Sequence, residues 1–172
     1  MKGVLALVCL IVLVVSIFFY NMNTQREEWA YLTKEGETTV GTVQVRYKGM
    51  DITYIVNGKR YKFGLRGKQR GLFSGEKYIV YYDRNKPSKS VVDFKTPVYD
   101  TLKFTSICVN HFEKIGGYKH GLIKFEYDYQ GVQLNRYHKI KIDSVNSPGP
   151  YKVWVNNSNP KLSYFTGKKC IN

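Results

Sequence analysis

Apolar and polar positions divide the chain near residue 21. Residues 4–20 form an unbroken apolar run in which Ser16 is the only clearly polar side chain. At about 1.5 Å per residue, a run of this length is at the short end of what spans a bilayer as a helix. Phe19 and Tyr20 suit the interface at its end. A cleaved leader and an uncleaved signal anchor are both compatible with the run. The leader would use Lys2 as its basic end and Val14-Val15-Ser16 before the cut. The run continues past that point through Ile17 and Phe18, which favours the anchor. Next, Thr24 and Glu27 have the spacing of a capping box, which predicts a new short helix. Trp29 and Leu32 would share one of its faces, and Gly36 would stop it.

From there the period falls to two. Strands are expected at 40–48, 51–57 and 60–65, with Asn57-Gly58 as a tight hairpin turn between the last two. A glycine-rich loop, a strand at 77–83, an Asn-x-Pro turn and a short strand at Val91-Val92 follow.

This series then recurs. Residues 52–94 align with 125–165 at a constant offset of 73: Tyr54 meets Tyr127, Gly58 meets Gly131, Pro87 meets Pro160 and Ser90 meets Ser163. Upstream, Val43-Gln44-Val45 matches Ile107-Cys108-Val109 at offset 64, leaving nine extra residues around 113–120 in the second copy. The second copy's strands are expected at 105–112, 122–129, 151–156 and around Leu162-Ser163-Tyr164. The expected fold is all-β with one N-terminal transmembrane helix. It comprises two tandem copies of a small antiparallel barrel or sandwich of about five strands each. Residues 1–20 are the signal anchor, 21–36 a short helical stalk, 37–96 the first copy and 97–172 the second. The pattern leaves open whether the copies share a core.

Composition adds charge to this picture. The formal net charge is +14, from 27 Lys and Arg against 13 Asp and Glu. Lys2 is the only charged side chain among the first twenty residues. Such a balance attracts anionic lipid, acidic protein, acidic polysaccharide or nucleic acid, and does not dictate a fold. Lys2 marks the inner end of the anchor, while Arg26 and Lys34 nearly balance it at the other end. The very short N-terminal tail favours export of the rest. The expected location is the cell membrane, single-pass, with the β-region outside the cytoplasm. Export would remove a nucleic-acid partner.

Gly41-x-Val43, Tyr54-x-Val56-x-Gly58-Lys59-x-Tyr61 and Val80-x-Tyr82-Asp83-x-Asn85-x-Pro87 form one pattern. It resembles a widespread family of bacterial membrane-anchored β-domains that has no assigned activity. The resemblance covers residues 36–94 and, more loosely, 105–165. It implies membrane attachment and a β-fold, and brings no catalytic residue. The second copy departs at the glycine before its fourth strand and at Asp83, where Asn156 stands.

Candidate chemistry is sparse. His111, His120 and His138 have no second His or Cys at a metal-ligand spacing, and no metal or cofactor is expected. Glu126 and Asp128 share a strand face, where a salt-bridged surface is the ordinary outcome and a catalytic dyad the rarer one. No nucleophile elbow or phosphate loop is present, so no catalytic residue is expected. Cys9 lies in the apolar run; Cys108 and Cys170 could pair in an oxidising compartment, and spacing alone does not decide whether they do.

One stretch stands above this background. Lys59, Arg60, Lys62, Arg66, Lys68 and Arg70 lie within twelve residues that contain no acid. Tyr61, Phe63 and Leu65 alternate with them and should face inward. The stretch is a candidate docking face for an anionic lipid surface or an acidic protein partner. The same charges also suit a strand edge guarded against aggregation. Arg136-Tyr137-His138-Lys139-Ile140-Lys141 is the milder equivalent in the second copy. The expected function is a non-enzymatic envelope protein with a basic β-module. An enzyme acting on envelope polymer and a structural spacer are the alternatives. The enzyme would require a pocket that collects Glu126, Asp128 or a buried histidine.

Overall fold

A computed structural model describes residues 2–67, 71–115, 121–140, 145 and 149–170, with backbone only for residues 2–9. Among the described residues it consists of one α-helix followed by eleven antiparallel strands, with a 3-10 turn at Thr101–Lys103 between the fifth and sixth. The chain divides into two compact units, Met1–Glu37 with Tyr81–Val91, and Thr38–Val80 with Val92–Asn172.

The first unit is built on helix α1 (Lys2–Glu35). The break predicted at Thr24 is absent. Its hydroxyl donates back to the Tyr20 carbonyl at 3.0 Å, as a mid-helix threonine does, and caps nothing. The segments predicted as anchor and stalk are therefore one helix. It stops where expected: Gly36 N–H donates to Leu32 O, and a Cβ on Gly36 would lie 2.4 Å from that oxygen. Among the described residues no helix is long and apolar enough to cross a membrane. The side chains of residues 4–9, part of the predicted span, lie outside those described. Within this unit Lys89 reaches Glu28 at 3.6 Å and lies 5.8 Å from the Tyr31 ring, while the Tyr82 hydroxyl donates to Glu37 at 2.7 Å.

The first copy supplies β1 (Glu37–Arg46), β2 (Gly49–Val56), β3 (Lys59–Arg66), β4 (Lys77–Tyr82) and β5 (Ser90–Pro97). They form one sheet in the order β3-β2-β1-β4-β5. Asn57 and Gly58 both have positive φ, 49° and 75°, which a two-residue turn of the right twist requires. The turn sets the β2–β3 register, pairing Val56 with Lys59 and Gly49 with Arg66. Gly41 is where β1 crosses its neighbours: a Cβ there would meet Val80 and Ile52 side chains at 2.5 and 2.8 Å.

The second copy supplies β6 (Phe104–Val109), β7 (Phe112–Ile115), β8 (Gly121–Tyr129), β9 (Val132–Ile140), β10 (Tyr151–Asn156) and β11 (Ser163–Lys169). The strand predicted at 105–112 is broken at Asn110-His111. Its first half, β6, pairs with β10; its second half, β7, pairs with β8. One sheet thus becomes two, in the orders β11-β10-β6 and β7-β8-β9. Val109, Ile123, Phe125, Tyr127, Ile140, Tyr151, Val153, Val155 and Phe165 form a single buried cluster contributed by both sheets.

The copies share fine detail. In the first, Asp83 Oδ1 accepts from the Asn85 and Lys86 amides, Asp83 N–H donates to Lys89 O, and Lys89 N–H to Lys86 O. In the second, Asn156 Oδ1 accepts from the Ser158 and Asn159 amides, Asn156 N–H donates to Leu162 O, and Leu162 N–H to Asn159 O. Every partner is displaced by the same 73 residues. Asn156 is therefore an equivalent of Asp83, because the turn needs a side-chain oxygen and no charge.

Candidate anion-binding face

The β2–β3 hairpin positions the basic stretch. Its alternation is as the sequence predicts: Tyr61, Phe63 and Leu65 are half-buried, and Arg60, Lys62, Gly64 and Arg66 are exposed. Tyr54 anchors the inner side, stacked on Tyr61 at 5.7 Å and edge-on to Phe63 at 6.1 Å. On the outer side, Lys62 Nζ lies 2.9 Å from Asp51 Oδ2, and Arg46 pairs with the same carboxylate. Lys59 leans over the Tyr61 ring at 5.6 Å. Among the described residues Arg60 and Arg66 have no ion-pair partner, and they stand about 20 Å apart along the strand. Lys68 and Arg70 lie outside the described residues.

The structure also brings in cations that lie apart from the stretch in sequence. Because Gly49 pairs with Arg66, the β1–β2 turn carries Arg46 and Lys48 to the Arg66 end of β3. Arg46, Tyr47, Lys48, Met50, Leu65 and Arg66 line a shallow cavity there of about 490 Å³. Counting back from Asn57-Gly58 along the hairpin gives this pairing, so the signal was present in the sequence.

The milder equivalent stretch in the second copy is largely covered over its described residues 136–140, and Lys141 lies outside them. Arg136 and His138 are buried, and Lys139 is half-buried. Arg136 Nη2 pairs with Glu76 Oε1, both side chains being fully covered. Its Nη1 donates to Lys161 O at 2.6 Å, and its guanidinium lies 5.0 Å from the Phe73 ring and 5.3 Å from that of Tyr164. Glu76 Oε2 accepts from Phe73 N–H at 2.9 Å and from the Tyr78 hydroxyl at 3.2 Å. This cluster joins the glycine-rich loop of the first copy to β9 of the second. Burial, then the Glu76 carboxylate, push the Tyr78 and Tyr164 hydroxyls well above the usual phenol range. Burial, reinforced by Arg136, drives the His138 imidazole down to about 3.

The acid–base candidates separate. Glu126 pairs with Lys124 at 3.3 Å, while Asp128 Oδ1 accepts from Gly131 N–H and shapes the β8–β9 turn. Asn110, His111, Phe112, Glu113, Lys124 and Glu126 line a groove of about 310 Å³ at the break between β6 and β7, with His111 and Glu126 exposed. His120 lies outside the described residues. Among the described residues, no group of three or more His, Cys, Asp and Glu could hold a metal ion. Cys108 and Cys170 form a disulfide with Cα atoms 6.1 Å apart, tying the strand end after β11 to β6.

No family model matches this chain, and no curated protein or solved structure is significantly similar to it.

Proposed function

We propose that the protein is a single-pass, membrane-anchored, non-enzymatic envelope protein that offers a basic β-module to an anionic partner. The observation that carries this reading is the surface of α1. Ten large apolar side chains between Leu10 and Tyr20 are each 45–72 % exposed, on every side of the helix. A helix apolar all round needs an apolar surrounding. Transferring these side chains out of water is worth on the order of 10 kcal/mol. Residues 4–9 extend the same run in sequence. The Cys108–Cys170 bridge supports placing the β-region outside the cytoplasm, where disulfides persist. The resemblance to membrane-anchored β-domains points the same way.

Arg60 and Arg66, with Arg46 and Lys48 beside the latter, support an anionic partner, each cation near such a surface contributing about 1 kcal/mol. An acidic protein segment and anionic lipid are the two candidates. Alkaline extraction of membranes from cells producing the full chain tests the anchor. The wild type stays in the pellet, and a chain lacking residues 4–20 moves to the supernatant. Release of the wild type by the same wash contradicts the anchored reading.

A further inference from the structure

β3 and β9 occupy the same place in their copies, and each is the last strand of its sheet. Their outer edges differ. Gly67 N–H donates to Lys48 O, so the odd-numbered amides of β3 face β2. The amides of Arg60, Lys62, Gly64 and Arg66 therefore face away from the sheet. In β9 the corresponding outward residue is Tyr137, displaced by 73 from Gly64. The loop after β3 lies directly on it: a Cβ on Gly71 would fall 2.1 Å from the Tyr137 carbonyl oxygen. Phe73 and Glu76 close over Arg136 beside it. Among the described residues nothing comparable covers β3.

The inner faces differ in the same sense. Arg136, His138 and Ile140 of β9 are buried, whereas Tyr61, Phe63 and Leu65 of β3 are only half-covered. A strand whose outward amides meet no neighbouring strand among the described residues, with a half-covered apolar inner row and a basic outer row, is complementary to one kind of ligand. That ligand is an extended segment in which acidic and apolar residues alternate. Its acids would stand beside Arg60, Lys62 and Arg66, and its apolar side chains beside Tyr61, Phe63 and Leu65.

We infer that β3 is a strand-addition site, and that an acidic, alternating segment of a partner protein docks there as a sixth strand of the first sheet. This rests on the anionic-partner reading above and names the partner's chemistry. Backbone pairing supplies the affinity and the alternation supplies the register. Edge lysines and arginines also discourage self-association of like edges, which is compatible with accepting an acidic strand from another protein.

The test uses the full chain in nanodiscs of neutral lipid and a synthetic peptide of β3's length alternating Glu with Val, with its Lys-for-Glu counterpart, Lys alternating with Val, as control. Binding is read by fluorescence anisotropy. Gly64→Pro removes one outward donor without altering charge, while Gly64→Ala keeps it, and a Cβ there makes only ordinary contacts, with Asp51 Oδ1 at 3.5 Å and Met50 O at 3.9 Å. Gly64→Pro should weaken binding about tenfold or more, and Gly64→Ala less than about threefold. Amide exchange of the unmutated chain gives a second readout independent of any folding defect. Added peptide should slow exchange at Arg60, Lys62, Gly64 and Arg66 and leave Tyr61, Phe63 and Leu65 unchanged. Equal binding of the Lys peptide, or binding of the Glu peptide with no change at the four outward amides, overturns strand addition. Failure of the Glu peptide, with exchange of the β3 amides slowed in nanodiscs of anionic but not neutral lipid, overturns it in favour of lipid and leaves the anionic-partner reading standing. Failure of both probes overturns both.

Discussion

β3 and β9 occupy the same position in a repeated plan, yet among the described residues one is uncovered along its edge and the other is enclosed. The difference is traceable to a few residues. At the positions of Phe63 and Leu65 in the first copy, the second has Arg136 and His138. A buried guanidinium demands a counter-charge, and Glu76 from the first copy's loop provides it. Satisfying that demand draws the loop from Gly71 to Glu76 across β9. The second copy is closed because the first copy's loop covers it, and among the described residues no equivalent loop lies on β3. The same event links the copies through charge and hydrogen bonds, where a repeat array more commonly relies on apolar stacking.

Breaking the cover at its charged centre has the largest expected effect. Arg136→Ala leaves Glu76 buried and uncompensated and should cost about 3–5 kcal/mol, read as a fall in denaturation midpoint. The double replacement Glu76→Leu with Arg136→Met should recover most of that loss, since a packed apolar pair can substitute for a buried ion pair. Failure of the double variant to recover would mean that the pair does more than hold the loop.

Removing the second copy's own clasp comes next. Cys108→Ser with Cys170→Ser should cost about 2–5 kcal/mol. Amide protection should fall first in β6, β10 and β11, with β2 and β3 little changed. Gly71→Ala should then cost about 1–3 kcal/mol, because the residue has φ of 80° and no room for a Cβ against Tyr137.

Acid sharpens the comparison further. The His138 imidazole titrates at about 3 in the folded chain against 6.5 for a free group. A base whose folded value is lowered binds its proton more readily when unfolded. Its contribution is therefore complete above pH 6.5 and is lost as the pH falls toward 3. The slope is up to about 1.4 kcal/mol per pH unit. His138→Leu, which installs the residue type of Leu65, should flatten this limb by about one proton in a pH series of denaturant midpoints. The smallest effect belongs to the open side: Lys62→Ala, at a half-exposed pair with Asp51, should cost under about 1 kcal/mol.

Much of this was legible from the chain. Asn57-Gly58, the alternation around Tyr61 and Phe63, and the constant offset locate the strands and both hairpins, because turn chemistry and period two are local signals. The continuous helix was not legible, since Thr24-x-x-Glu27 has a capping spacing but its hydroxyl is satisfied by the preceding turn. The break at Asn110-His111 depends on how an insertion is accommodated between two sheets, which no local pattern encodes. Arg136 was misread as a surface charge by composition. Its register did carry the answer: it alternates with Leu134 and Ile140 and aligns with Phe63. Glu76 has no such signal, because its partner is sixty residues away.

The unequal edges are tested most directly by residue-resolved amide exchange on the full chain without any partner, comparing Gly64 with Tyr137. The account predicts fast exchange at Gly64, shared by Arg60 and Lys62, and markedly slower exchange at Tyr137. Equal protection at the two positions would contradict it, since β3 would then be covered as β9 is.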